Sequence, residues 1–143
     1  MNYANTLARY IGITYSLQSK RLNELLEENE VGITTDQFRL MTHLWKQDGI
    51  PQQNLACNLS RDRASVTRMV DILENEGLIT RIPDKTDRRV NLIYLTKHGK
   101  ELEIKAAACA QQCLDEMTKN LSAEEQHTLS ALLQKVIQNF REQ

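Results

Sequence analysis

Arg63, Ser65, Thr67 and Arg68 place long cations and small hydroxyls close together, and Arg88 and Arg89 stand side by side in the polar segment PDKTDRR, Pro83 to Arg89. A guanidinium can make paired bonds to O6 and N7 of guanine, and a small hydroxyl can reach a base or a phosphate. An arginine at the tip of a loop can enter a narrow minor groove, where the negative potential is strongest. Gln52 and Gln53 carry amide donors just after Pro51, at the start of a predicted helix whose positive dipole end attracts phosphate. All of this is nucleic-acid-binding chemistry. The plain alternative is a solvated helix face for the arginines and ordinary surface amides for the glutamines.

The elements that must position these groups can be read from spacing. Val66, Met69, Val70 and Leu73 recur at the i, i+3, i+4, i+7 interval of a one-sided helix over Asp62 to Glu76. That leaves Arg63, Ser65, Thr67 and Arg68 on its other side. Gly77 follows where a left-handed C-cap favours glycine. Leu78 to Ile82 and Val90 to Leu95 are rich in branched residues and read as two strands around the arginine-tipped turn. A helix sized for a major groove beside such a hairpin is a winged helix-turn-helix. Upstream, Asn5 to Glu30 forms a long helix with Leu7, Ile11, Leu22, Leu25 and Leu26 on its apolar stripe, broken at Gly32. Thr34 and Gln37 fit a capping box for a helix that turns Phe38, Met41, Leu44 and Trp45 inward. Pro51 suits the first turn of the next helix, which buries Leu55, Ala56 and Leu59 and ends at Leu59-Ser60-Arg61. Thr96 caps a helix to about Asn120, and Ser122 with Glu125 caps a last one with Leu129, Leu132, Leu133, Val136, Ile137 and Phe140 along one face. The expected fold is mainly α. A winged lobe over 34–96, with a three-helix core and a two-stranded wing, joins helical dimerisation regions over 1–30 and 97–143 in a single domain. The terminal helices carry more apolar stripe than so small a lobe can cover, and the surplus reads as a dimer interface.

Composition agrees. The formal net charge is only −1, but residues 51–100 hold nine Lys or Arg against six Asp or Glu while the remainder holds nine against thirteen. A basic middle with acidic flanks suits a DNA-contacting lobe on a separate scaffold. The chain lacks a membrane-length apolar run and a basic-then-apolar leader, so a cytoplasmic location is expected. Its three cysteines, Cys57, Cys109 and Cys113, do not suggest a disulfide framework. His43, His98 and His127 stand singly, without metal-ligand spacing, and no nucleophile motif or phosphate-cradling glycine loop is present. Neither a cofactor nor an enzyme activity is expected.

Several strings in this order resemble the MarR family of bacterial transcription regulators. They are Ile33-Thr34-Thr35-Asp36-Gln37-Phe38, Leu55-Ala56, Ser65-Val66-Thr67-Arg68, Leu73-Glu74, Gly77-Leu78-Ile79, and Asp87-Arg88-Arg89 followed by Leu95-Thr96 and Gly99. The chain departs from the family at Leu59-Ser60-Arg61, which lacks the glycine often found in that turn, and Ala64 and Ser65 fall where members vary widely. The resemblance implies a recognition helix reading DNA through Arg63, Ala64, Ser65, Thr67 and Arg68. It implies a wing in which Arg89 inserts, Asp87 holds the shape through an ion pair and Arg88 touches phosphate. Gln52 and Gln53 are the expected backbone contacts. It further implies a homodimer on double-stranded DNA, more in keeping with a repressor than an activator. A small aromatic or anionic effector would bind near Tyr10, Ile11, Tyr15, His43 and Leu44. A dimer also follows from geometry, since two recognition helices one helical turn apart need a roughly palindromic site. Two alternatives stay open: cysteine-based redox sensing on the same fold, with Cys57 the better reactive candidate, and a winged protein-interaction module without DNA.

Overall fold

The computed structural model describes residues 6–142. Six helices and three short strands follow in the order α1 (Leu7–Glu28), α2 (Thr35–Lys46), β1 (Ile50–Pro51), α3 (Gln52–Leu59), α4 (Arg63–Asn75), β2 (Ile79–Pro83), β3 (Asn91–Leu95), α5 (Lys97–Thr118) and α6 (Ala123–Arg141). The start of the predicted first helix, at Asn5, lies outside the described residues.

The caps form as their sequences predict. The Thr34 hydroxyl accepts from the Gln37 amide at 3.2 Å while the Gln37 side chain accepts from the Thr34 amide at 3.0 Å. Ser122 and Glu125 repeat this exchange at 3.1 and 2.8 Å. Thr96 accepts from the Gly99 amide at 3.1 Å and donates to the Gly77 carbonyl at 2.6 Å, so one side chain starts α5 and holds it to the end of α4. Such caps typically contribute about 1 kcal/mol each by satisfying donors the helix cannot. The turn without glycine is made by Ser60, which takes a left-handed φ of 53° itself.

The core is continuous between the winged lobe and the long helices. Leu22, Leu25 and Leu26 of α1 are buried with Leu40, Met41 and Leu44 of α2, Leu55 of α3, and Val66, Val70 and Leu73 of α4. Leu102 and Ala106 of α5 close the same cluster. Burying each large aliphatic side chain contributes roughly 1.5–3 kcal/mol, so the one-sided stripes of α2 and α4 suffice to fix their packing.

Two expectations are corrected. The wing is part of a three-stranded antiparallel sheet, ordered β1-β3-β2, with Ile50 opposite Ile93 and Pro51 opposite Leu92. Pro51 therefore sits in the extra strand and at the N-cap of α3, not in the first turn. Two residues are too few for any periodicity to betray a strand. The approach is shaped by Gly49, at φ +71°, where a Cβ would lie 2.9 Å from the Tyr94 ring. Leu7 and Ile11 are exposed, as are Leu129, Leu132 and Phe140 of α6, in line with the surplus of apolar stripe expected on the terminal helices. Helix α6 buries no residue within the chain. The second correction is on α2, where Leu40 is fully buried whereas Phe38 and Trp45 only flank the core, ring against ring at 5.8 Å.

Candidate nucleic-acid interface

Helix α4 is started by Asp62, whose carboxylate accepts from the Ser65 amide and hydroxyl, both at 2.8 Å. Those bonds, the amide first, hold the Asp62 carboxyl below its ordinary range. The Ser65 hydroxyl also accepts from Nη2 of Arg68 at 3.2 Å. Ser65 thus has its proton committed and serves to orient Arg68. Thr67 donates to the Arg63 carbonyl at 2.8 Å and accepts from the Gln52 side-chain amide at 3.0 Å. With its proton used, Thr67 can offer a base only an acceptor lone pair or its methyl group. Arg63, Ala64 and Arg68 are exposed on the same helix.

The wing tip is built by two aspartates. Asp84 accepts from the amide and hydroxyl of Thr86, both at 2.8 Å, and these bonds lower its pKa. Asp87 accepts from Arg89 through Nε at 3.1 Å, Nη2 at 3.3 Å and the backbone amide at 3.1 Å. The Arg89 side chain, ahead of its amide, holds the Asp87 carboxyl below the usual range. The expected ion pair at Asp87 is therefore present, and its partner is Arg89. Arg89 remains 92% exposed, so the pair aims the guanidinium without enclosing it. Arg88 is exposed beside it.

Tertiary structure brings Gln52, Gln53, Arg63, Thr67 and Arg89 around one open hollow of about 180 Å³ between α3, α4 and the wing. Arg68 and Ser65 line a neighbouring hollow with Arg61 and Asp36. Of the two glutamines, Gln53 is exposed, whereas the Gln52 amide is engaged by Thr67 and by Arg81. Sequence reading missed Arg81 and Arg61. Arg61 bonds Asp36 at 3.0 Å and approaches the Tyr15 hydroxyl at 3.4 Å. Arg39 donates to that hydroxyl at 3.0 Å and packs 4.7 Å from the Tyr15 ring. Neither Arg81 nor Arg61 falls in a motif, and carboxylate partners distant in sequence give no local signal.

Among the residues expected near an effector, Tyr10 and Ile11 are exposed on α1, His43 is half-buried on α2 and Leu44 is enclosed in the core. Cys109 and Cys113 are buried where α5 meets α1, with their thiols 3.5 Å from the Leu25 carbonyl and 3.8 Å from that of Gln18. Burial pushes both thiols up. Cys57 is exposed. No helix among the described residues is long and apolar enough to cross a membrane.

Residues 33–90 match the MarR family. The chain is 34% identical over 139 residues to the multiple antibiotic resistance protein MarR of Escherichia coli K12, covering 92% of this chain and 90% of that one. It is 32% identical over 109 residues to the HTH-type transcriptional regulator YdgJ of Bacillus subtilis, covering 76% of this chain and 66% of that one. The solved structure of a mutant E. coli MarR complexed with operator DNA superposes with a TM-score of 0.84 at 34% identity, over 91% of this chain and 92% of that one. With its winged lobe, its convergent arginines and this likeness along nearly its whole length, the chain belongs to the MarR family of DNA-binding transcription regulators.

Proposed function

We propose that this regulator is a homodimer that binds a roughly palindromic operator, represses transcription from it in the cytoplasm and is released by a small aromatic or anionic effector. The observation that carries the DNA reading is the convergence of Gln53, Arg63, Thr67 and Arg89 on one open hollow beside the exposed Arg68. In this reading Arg63 and Arg68 meet base edges, with Ala64 and Ser65 against the groove floor. Arg89 enters the minor groove, and Arg88 with Gln53 holds phosphate. The exposed apolar sides of α1, α5 and α6 support a dimer, since Leu17, Leu114, Met117, Leu129 and Leu132 remain about half exposed or more among the described residues. We assign the effector to the region of Tyr10, Ile11, Tyr15, His43 and Leu44. The contacts of Tyr15 with Arg39 and Arg61 support this, because Arg61 lies in the turn just before α4. An effector acts here only by favouring a spacing of the recognition helices that misfits the operator.

The experiment is selection from a random DNA pool, then titration of the selected duplex across salt, with and without aromatic acids such as benzoate or salicylate. Selective binding to a palindrome with a steep salt slope is expected, weakened by the acid. Equal, weak binding to all duplexes sinks the operator reading and favours a protein-interaction module. The exposed Cys57 keeps a redox reading in view. Unchanged DNA binding by the Cys57→Ser variant after peroxide, matching wild type, removes it.

A further inference from the structure

Arg81 stands in β2 opposite Ile93, at the base of the wing, and its side chain is only 20% exposed. Its three guanidinium nitrogens each have a protein partner. Nη1 donates to Glu74 at 3.1 Å, Nε to the Gln52 carbonyl oxygen at 3.2 Å, and Nη2 to Asp71. The Arg81 backbone amide adds a bond to the other Glu74 oxygen at 2.9 Å. Gln52 in turn donates to Thr67. On α4, Arg63, Thr67, Asp71 and Glu74 follow at i, i+4, i+8 and i+11, which puts them along one side of the helix. Arg63 and Thr67 on that side line the hollow shared with Arg89. Two carboxylates therefore continue the stripe on which DNA contacts lie, where unpaired charge repels phosphate.

We propose that Arg81 is a positioning residue for DNA binding and not a DNA contact. It covers the charges of Asp71 and Glu74 and ties the wing, through Gln52 and Thr67, to the recognition helix. With three of its five N–H donors bonded within the protein and its side chain only 20% exposed, Arg81 is poorly placed to meet a phosphate, and its planar fork suits several acceptors at once. The inference rests on the DNA-binding reading above and adds a residue with a distinct signature. A lost phosphate contact lowers the salt slope by about 0.9, whereas loss of a positioning residue weakens binding and leaves the slope in place.

The test uses the full chain and a duplex selected by the wild-type protein, titrated at several salt concentrations, with thermal melting of each variant alongside. Arg81→Met is expected to bind at least tenfold more weakly with an unchanged slope. Adding Asp71→Asn and Glu74→Gln to Arg81→Met is expected to recover most of that loss, because the uncovered carboxylates are gone. Arg81→Lys, which keeps the charge and guards against an unfolded Met variant, is expected to give a smaller loss, again at constant slope. A slope reduced by about 0.9 in either single variant makes Arg81 a phosphate contact and overturns the proposal. Wild-type affinity in Arg81→Met, or a triple variant no better than it, also overturns it. If the wild-type chain selects and binds no duplex, the DNA-binding reading falls and this inference falls with it.

Discussion

At the scale of single residues, the site is defined as much by protons already spent as by groups on offer. Ser65 and Thr67 both donate inward, to Asp62 and to the Arg63 carbonyl. In the proposed complex the arginines are left as the principal donors toward DNA. Arg63, Arg68 and Arg89 differ in what holds them: Arg68 is steadied by Ser65 and Arg89 by Asp87, while Arg63 is exposed beside the hollow. Two substitutions separate their roles. Arg89→Ala is expected to weaken binding to selected and random duplexes and to lower the salt slope by about 0.9, if one phosphate-region contact goes with it. Arg68→Ala is expected to relax preference at one base position by about 1–3 kcal/mol, read by competition between single-base operator variants. A uniform loss across all sequences would move Arg68 to the phosphate backbone.

At the scale of elements, two contacts decide whether the wing and the long helices keep their places. Gly99 passes so close to the residue before β2 that an added Cβ would lie 2.0 Å from the Leu78 carbonyl oxygen, and its own carbonyl accepts from the Trp45 indole at 2.9 Å. Gly99→Ala must push α5 away from the Leu78 backbone, and overpacking of this kind costs about 1–3 kcal/mol or more. A lowered midpoint in urea unfolding is the expected result. The other contact joins α1 to α5: Arg21 bonds Glu116 at 2.7 and 2.9 Å and also reaches Glu24 and Glu28. Arg21, with help from Gln112, holds the Glu116 carboxyl down from an ordinary 4.5 to about 2. A carboxyl depressed on folding stabilises the fold above its unfolded value and loses that contribution as pH falls toward the folded one. Stability should therefore decline between pH about 4.5 and about 2. Glu116→Gln is expected to flatten that part of the pH profile measured by thermal melting, and an unchanged profile would leave Glu116 without a role in it.

At the scale of the whole molecule, the lone chain is closed in its winged lobe and open along its helical ends. Helix α6 buries nothing, and Leu129 and Leu132 are about half exposed, at 49% and 53%. Apolar surface of this extent on long helices is what the proposed homodimer would bury, with the two-fold symmetry a palindromic site needs. Leu129→Asp combined with Leu132→Asp is expected to give a monomer by analytical ultracentrifugation and to weaken operator binding at least tenfold. A dimer that survives the double substitution would place the interface elsewhere.

Much of this protein was legible in its sequence because the signals are local. The recurrence of Val66, Val70 and Leu73, the boxes at Thr34 and Ser122, the cap at Thr96 and the stop at Gly77 all act within a turn or two of chain, so residue type and spacing determined them. The positions of Arg63, Arg68 and Arg89 were set in the same way, by one helix and one tight turn. Tertiary structure alone decided what depends on residues far apart in sequence. It added β1 beside β3, since two residues carry no periodicity. It left Leu7, Ile11 and the α6 stripe uncovered, since an apolar stripe states that a face will be buried and not by which chain. It turned Gln52 and Arg81 into a brace between the wing and the recognition helix, because a guanidinium finds its carboxylates in space, and no spacing in the sequence records which ones.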